Sequence, residues 1–293
     1  MENKKNNMSD RELRLSSMRV LSLAAILIAF AGITASAQVK SGYAPVNGIR
    51  MYYEIHGEGQ RPLVLIHGGG STIESSFHYL LPLLAAHRRV IAVELQAHGR
   101  TSDRDSPESF QQDADDVAAL LGYLQIGQAD FLGFSNGGST VLQIAIRHPD
   151  LVNKIVPISS VYRRDGLMPG FFESMPKATL NVMPAVLREA FLKETPDTAK
   201  LLVMFQKDKQ RMIDFKDWSD DDLRSIKAQA MIISSDRDVI MPEHTLRMAR
   251  VIPGARLVIL PGVHGSSIGA AEAGVGKGSA EITARLVEEF LCL

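Results

Sequence analysis

Short apolar runs alternate with amphipathic helical stretches along most of this chain, and this alternation constrains the fold more than any other feature. Leu63–Ile66, Val90–Val93 and residues 154–158 are compact apolar runs typical of buried strands. Between such runs, residues 75–86 and 139–147 have the periodicity of helices. Strand and helix in this rhythm predict an α/β domain with a mostly parallel sheet flanked by helices.

The helix predicted next to the second of these strands carries an acidic face. Its apolar stripe runs from Phe110 to Leu124, and Asp113, Asp115 and Asp116 lie off that stripe. We expect these three carboxylates to face solvent.

Two regions interrupt the alternation. Residues 42–56 read as a β-hairpin around Asn47-Gly48, which predicts an antiparallel start to the sheet. Residues 160–227 contain prolines among helical stretches rich in methionine and phenylalanine, which predicts a helical cap inserted into the domain. The predicted core is therefore residues 38–159 and 228–293, with 160–227 as the cap.

The amino-terminal segment has the pattern of an export signal. Basic residues precede an apolar run over residues 20–33, which ends at Ala35-Ser36-Ala37. The run is about fourteen residues long, whereas a membrane-spanning helix needs about twenty. Residues 1–37 are predicted to be a signal peptide cleaved after Ala37, giving a periplasmic or secreted protein without stable membrane insertion. An uncleaved anchor is the alternative.

Composition excludes some classes of partner and of fold. A chain of 293 residues, 45% of them hydrophobic, can bury the core of one α/β domain. Its 32 lysines and arginines nearly balance 33 acidic residues, and no dense basic stripe with interleaved aromatics is present, so nucleic acid is not an expected partner. Cys292 is the single cysteine, which excludes an internal disulfide.

A Gly-x-Ser-x-Gly pentapeptide, residues 133–137, lies between a predicted strand and a predicted helix. Small residues on both sides of Ser135 permit the close backbone approach that a sharp strand-to-helix turn demands. The pattern alone is weak, and its setting is what makes Ser135 a candidate nucleophile. A serine hydroxyl needs a histidine base and a group that orients the histidine.

The histidine and the acid come from loops after later strands. His264 lies in a glycine-flanked loop directly after the predicted strand 256–260. Asp236 and Asp238 both follow the strand at residues 230–233, and position in the loop favours Asp238, with Asp236 as its rival. His78 and His98 also remain candidates for the base, because their positions do not exclude them.

A glycine-rich loop supplies candidate donors for an oxyanion. Residues 66–71 read Ile-His-Gly-Gly-Gly-Ser directly after a strand, and we expect the backbone N–H groups of Gly69 and Asn136 to form the oxyanion hole. His67 is interpreted as a residue that shapes this loop by hydrogen bonding. A nucleotide site is improbable because neither dinucleotide nor P-loop spacing is present.

Taken together in this order, the loop at His67, the elbow at Ser135, and Asp238 and His264 resemble the α/β-hydrolase fold family over essentially the whole chain after the signal. Residues 93–101 also resemble that family's loop after its fourth strand, although Glu94 replaces the usual aspartate. The resemblance implies a serine hydrolase that works through an acyl-enzyme, without metal or organic cofactor, with the cap over its pocket.

The motifs leave several activities open. The favoured hypothesis is hydrolysis of a small, mainly apolar carboxylic ester or lactone, because the cap is rich in adaptable apolar side chains. Carbon–carbon bond hydrolysis, acyl transfer, cofactor-free haloperoxidation and slow-turnover ligand binding are alternatives. Arg163, Arg164 and Arg188 could hold a substrate carboxylate, although surface positions are the better interpretation. The cap side chains in question are Met168, Phe171, Phe172, Met175, Met183, Phe191, Met204, Phe205 and Met212.

Overall fold

The computed structural model describes residues 39–292, and the predicted signal peptide therefore lies outside the described residues. Within that range the strands are β1 (Lys40–Val46), β2 (Ile49–His56), β3 (Leu63–Ile66), β4 (Val90–Val93), β5 (Ala129–Phe134), β6 (Val152–Ile158), β7 (Gln229–Arg237) and β8 (Arg256–Val263). The α-helices are α1 (Ile73–Phe77), α2 (Leu80–Ala85), α3 (Phe110–Tyr123), α4 (Asn136–Arg147), α5 (Phe171–Ser174), α6 (Ala185–Glu194), α7 (Thr198–Asp214), α8 (Asp220–Arg224), α9 (Pro242–Val251) and α10 (Gly278–Cys292). Short 3₁₀ turns occupy Pro149–Leu151, Arg164–Gly166, Met175–Lys177, Leu180–Val182, Ser266–Ile268 and Ala271–Ala273.

All of these strands form one sheet in the order β1-β2-β4-β3-β5-β6-β7-β8. The β1–β2 hairpin pairs antiparallel, as does β2 with β4, and every later pairing is parallel. The predicted α/β class, the mostly parallel sheet and its antiparallel start are confirmed.

Helices cover both faces of the sheet because its central strands are apolar on both sides. In β3, Val64 and Ile66 pack on the face covered by α3, α4, α8 and α9, whereas Leu63 and Leu65 pack on the face covered by α1, α2 and α10. A strand buried on both faces reads as a continuous apolar run, which is the pattern of Leu63–Ile66.

The single helix expected over residues 75–86 is two helices, α1 and α2, separated by His78 and Tyr79. Pro82 explains the break, since a proline inside a continuous helix lacks the N–H that would bond His78 and collides with its carbonyl. In the structure Pro82 lies in the first turn of α2, where no intrahelical N–H bond is required.

Helices α5 to α8 lie in the segment between β6 and β7. Leu187, Phe191, Leu201 and Met204 of α6 and α7 form a small apolar cluster of their own. Met212 of α7 and Leu223 of α8 belong instead to the main core under the sheet. None of the helices in residues 39–292 is long and apolar enough to cross a membrane.

The acidic face expected on α3 is not solvated. Asp113 and Asp116 are buried, at 1% and 0% exposure, and only Asp115 is accessible among the three. Arg211 of α7 pairs with Asp113, and Arg104 pairs with Asp116. The expectation was wrong because the cations that compensate these carboxylates lie outside the helix, Arg104 in the preceding loop and Arg211 in the cap, and helical periodicity does not reveal them.

Candidate active site

Four loops meet at one edge of the sheet because each follows the carboxyl end of a parallel strand. The loop at His67 follows β3, Ser135 follows β5, Asp238 follows β7 and His264 follows β8. This is the edge at which open α/β sheets bind ligands.

Ser135 occupies a strained turn between β5 and α4. Its backbone has φ 54° and ψ −119°, a conformation that L-residues rarely adopt. A methyl group added at Gly133 would overlap the carbonyl oxygen of Gly137, and one added at Gly137 would overlap that of Ile66. The turn therefore requires both glycines, and it lifts Ser135 above the sheet edge.

The structure brings Ser135, His264 and Asp238 into a line. Ser135 Oγ lies 3.0 Å from His264 Nε2, and His264 Nδ1 lies 2.7 Å from Asp238 Oδ1. With Asp238 ionised, His264 Nδ1–H donates to it, which leaves Nε2 to accept the Ser135 hydroxyl proton. Phe134 packs beside the His264 ring, with centroids 4.8 Å apart.

Asp238 is buried and heavily hydrogen-bonded. Ser159 Oγ donates to its Oδ2 at 2.6 Å, and the N–H of Ile240 donates to its Oδ1 at 3.1 Å. Burial alone would raise the pKa of Asp238, but the hydrogen bond from His264, together with those from Ser159 and Ile240, lowers it below the usual value.

The rival acid does not reach the histidine. The Asp236 side chain is 53% exposed and accepts from the N–H of Gly262 at 2.8 Å. The register of β7 is irregular between Ser235 and Arg237, and the strand ends at Arg237, between the two aspartates. Only Asp238 lies beyond the strand, where the loop turns over the site.

Gly69 and Asn136 are neighbours beside Ser135. A methyl group at Gly69 would overlap the side-chain amide of Asn136, and one at Gly68 would lie 3.3 Å from Ser135 Cβ. Asn136 is the first residue of α4, where backbone N–H groups have no intrahelical acceptor. The hydrogen bonds of the described residues do not engage the Gly69 N–H.

His67 shapes the glycine loop, as its position in the sequence suggested. It is fully buried, its Nε2 accepts from the N–H of Leu95 at 3.0 Å, and its Nδ1 donates to the carbonyl of Gly68 at 2.7 Å. Burial, and then the positive charge of His98, lower the pKa of His67 to about 3, so the ring is neutral at physiological pH.

A cavity of about 450 Å³ opens over Ser135 and His264. Gly69 and Asn136 lie in its wall with Ser135 and His264, and the cap supplies most of the remaining wall. Of the nine cap side chains selected from the sequence, Met168, Phe172 and Phe191 do not line it. The six that do are Phe171, Met175, Met183, Met204, Phe205 and Met212.

The arginines proposed for a substrate carboxylate are not in the cavity wall. Arg163 pairs with Asp165 and Asp217. Arg164 donates to the carbonyl of Phe215 at 3.0 Å, and Arg188 donates to that of Met183. Their surface or structural interpretation fits these contacts.

Two residues that sequence reasoning did not place at the site are Asp208 and its partner His98. Asp208 comes from α7 of the cap and lines the cavity, and its Oδ2 lies 2.9 Å from His98 Nε2. His98 was an open candidate, but nothing in the sequence of α7 singles out one carboxylate as the residue that reaches the core. Among residues 39–292, no group of three or more histidines, cysteines and acids is arranged to hold a metal.

Comparison with known proteins identifies the class. A sequence model described as the alpha/beta hydrolase family matches residues 63–271, so the chain belongs to that family. The enol-lactonase from Burkholderia xenovorans LB400 has a similar structure, with a TM-score of 0.67 and 24% identity over 86% of this chain and 100% of that one.

Curated relatives match over shorter stretches. The acetyltransferase component of the Pseudomonas putida acetoin cleaving system is 28% identical over 72% of this chain. The 2-hydroxymuconate semialdehyde hydrolase of Pseudomonas sp. strain CF600 is 38% identical over 39% of this chain. The matched segments cover 60% and 41% of those two proteins, respectively. The chain thus spans less than two thirds of each of these relatives, and they do not fix its reaction.

Proposed function

We propose that this protein is a serine hydrolase that cleaves a small, mainly apolar carboxylic ester or lactone. The observation that carries the proposal is the hydrogen-bonded line from Ser135 through His264 to the buried Asp238, with Ser135 and His264 in the wall of a mainly apolar cavity. The volume of that cavity, about 450 Å³, lies in the usual range of small-molecule sites.

The geometry supports acyl transfer in two halves. As Ser135 Oγ attacks the ester carbon, its proton passes to His264 Nε2, and the carbonyl oxygen becomes an oxyanion that accepts from the N–H groups of Gly69 and Asn136. Collapse breaks the bond to the alcohol oxygen, which leaves with the proton from His264. Water then attacks the acyl-enzyme by the same route and releases the carboxylic acid.

Carbon–carbon bond hydrolysis is the second candidate, because the similarity to the 2-hydroxymuconate semialdehyde hydrolase favours it. A muconate-type substrate carries a carboxylate, which calls for a cation in the pocket. Among the described residues of the cavity wall, the lysine is Lys209, whose Nζ donates to the carbonyl of Ala178 at 2.9 Å, and no arginine is present. This lining favours a neutral substrate.

Turnover of nitrophenyl esters with short, medium and long acyl chains tests the proposal. We expect multiple turnovers with a preference for short or medium chains, labelling by a fluorophosphonate, and loss of both in Ser135→Ala. Ser225→Ala, an exposed serine in the turn after α8, is the matched control. A stoichiometric burst without further turnover would instead indicate a ligand-binding module, and activity that survives in Ser135→Ala would exclude the mechanism.

We also propose that the protein is exported. The support is the basic segment, the apolar run over residues 20–33 and Ala35-Ser36-Ala37. Fractionation of expressing cells, with sequencing of the mature amino terminus, should find protein outside the cytoplasm that begins at Gln38. Full-length protein retained in the cytoplasm would contradict export.

A further inference from the structure

Asp208 ties the cap to three core loops around Ser135. From α7 it accepts a hydrogen bond from the backbone N–H of Gly70 at 2.5 Å and one from the side-chain amide of Asn136 at 3.3 Å. His98, in the loop after β4, is its third partner, at 2.9 Å. The carboxylate is only 13% exposed, and both of its oxygens are engaged.

The hydrogen bond from Gly70 to Asp208 involves the peptide group between Gly69 and Gly70, which can adopt two orientations in a turn of this kind. The N–H of Ser71 donates to the carbonyl of Gly68 at 3.2 Å, and Gly70 has φ +67°. These features define a type II turn with Gly69 and Gly70 at its centre. A type I turn differs mainly by rotation of the central peptide, which here joins Gly69 to Gly70.

Asp208 holds that central peptide from its N–H side. The carbonyl of Gly69 has only a long contact, 3.5 Å from Ser71 Oγ, whereas the N–H of Gly70 is bound at 2.5 Å to a carboxylate. A hydrogen bond to an ionised acceptor is about twice as strong as a neutral one. The N–H of Gly70 also lies 3.1 Å from His98 Nε2, but a His98 ring that donates to both the Gln96 carbonyl and Asp208 has no lone pair left to accept it. The peptide next to the Gly69 N–H is therefore held chiefly by a residue of the cap.

Positively charged groups compensate the Asp208 carboxylate, which lies close to the proposed site of the oxyanion. His98 and Arg211 face Asp208, and Arg211 also pairs with Glu108 and Asp113 of the core. Burial alone would raise the pKa of Asp208, but these two cations hold it well below its usual range. The carboxylate is thus ionised without leaving an uncompensated negative charge beside Ser135.

We propose that Asp208 is a positioning residue: by binding the Gly70 N–H and the Asn136 side-chain amide, it anchors the two backbone segments that carry the Gly69 and Asn136 N–H groups and so makes the oxyanion hole competent only when the cap is seated. This rests on the proposed serine hydrolase mechanism. It assigns to the cap a part in transition-state stabilisation besides the shaping of the pocket.

Three variants of the full chain test the proposal: D208A, D208N and D197A. D208A removes the acceptor, whereas D208N retains an oxygen that can accept from Gly70. Asp197 is the matched control, because it is also a carboxylate of the cap, capping α7 through Ala199 and Lys200 without contacting the glycine loop. D208S, with a side chain too short to reach Gly70, replaces D208A if that variant does not fold.

The readouts are kcat and KM for nitrophenyl esters and the rate constant of fluorophosphonate labelling. For kcat, the enzyme concentration is taken as the concentration of sites that the fluorophosphonate labels. Loss of oxyanion stabilisation acts on the transition state, so D208A should lower kcat and the labelling rate by about 10- to 100-fold with KM changed less than about threefold. D208N should recover most of the loss, and D197A should behave as wild type.

Each outcome bears on a distinct statement. Unchanged kcat in D208A, an equal loss in D208N, or an equal loss in D197A would overturn the positioning role. Wild-type protein that is not labelled by the fluorophosphonate would overturn the serine hydrolase mechanism itself. Wild-type protein that is labelled but does not turn over esters would remove only the substrate class, and the labelling rates would still decide the role of Asp208.

Discussion

At the scale of single residues, Asp236 and Asp238 show how different burial gives different roles to two carboxylates that are two positions apart in the chain. Asp238 is fully buried at its side chain and accepts from His264, whereas Asp236 is 53% exposed and accepts only from the Gly262 N–H. The first can stabilise an imidazolium, and the second caps a backbone group at the end of β8.

Substitution of these aspartates by asparagine should give opposite results. Asp238→Asn places an amide opposite His264 and favours the wrong tautomer, so kcat should fall by about 10³- to 10⁴-fold. Asp236→Asn keeps an oxygen for Gly262, so kcat should stay within about twofold of wild type. Esterase kinetics on both variants check this. Comparable losses in the two would contradict the assignment of Asp238.

At the scale of elements, the turn between β5 and α4 depends on backbone proximity and not on side-chain packing. Gly137 faces the carbonyl of Ile66 in β3, and Gly133 faces Gly137. The strained φ of Ser135 is therefore maintained by the close approach of β3 and α4.

Gly137→Ala should destabilise the protein by about 3 kcal/mol and abolish fluorophosphonate labelling, because the added methyl overlaps backbone that cannot yield. Gly127→Ala is the control, since a methyl there meets no other atom and Gly127 lacks a positive φ. Its free energy of unfolding should stay within about 0.5 kcal/mol of wild type. Urea unfolding measures both, and a stable, labelled Gly137→Ala would contradict this account of the turn.

The helices and strands could be predicted from the sequence better than the burial of the charged residues that they carry. Buried parallel strands are visible in the sequence as apolar runs, and the loops that follow them meet at one edge of the sheet. Ser135 and His264 could therefore be selected from the sequence alone. Asp238 could be preferred over Asp236 only by its place in the loop. The prediction that Asp113 faces solvent was wrong, because its position off the apolar stripe indicates exposure and its buried partner, Arg211, is not evident from the sequence.

At the scale of the whole molecule, the cap is joined to the core by a buried ionic network. Arg211 and Asp208 of α7 meet Glu108, Asp113 and His98 of the core. The partners are separated by about a hundred residues, so no local pattern could predict the network. Because loss of one charge in the network leaves its buried partner uncompensated, stability should depend on the protonation of the titratable members of the network.

His98 titrates on the alkaline side. Burial alone would lower its pKa, but the charge and hydrogen bond of Asp208 raise it to about 9. Glu108 also departs from its usual value, since burial raises its pKa to about 7 against the opposing effect of Arg211. Burial also raises the pKa of Asp113 against the opposing charge of Arg211. Between pH 7.5 and 9.5 Arg211 stays charged, and His67, with a pKa lowered to about 3, stays neutral.

Stability should therefore fall as pH rises through 9. The folded protein holds the His98 proton more tightly than the unfolded chain, in which the pKa of histidine is about 6.5. The resulting stabilisation is complete below about pH 6.5 and is lost as the pH rises from there through 9. The full difference corresponds to about 3 kcal/mol. Urea unfolding at intervals from pH 7.5 to 9.5 should show a steeper decline for wild type than for His98→Gln, which cannot bind the proton. Parallel declines in the two proteins would mean that His98 is not held as an imidazolium by Asp208.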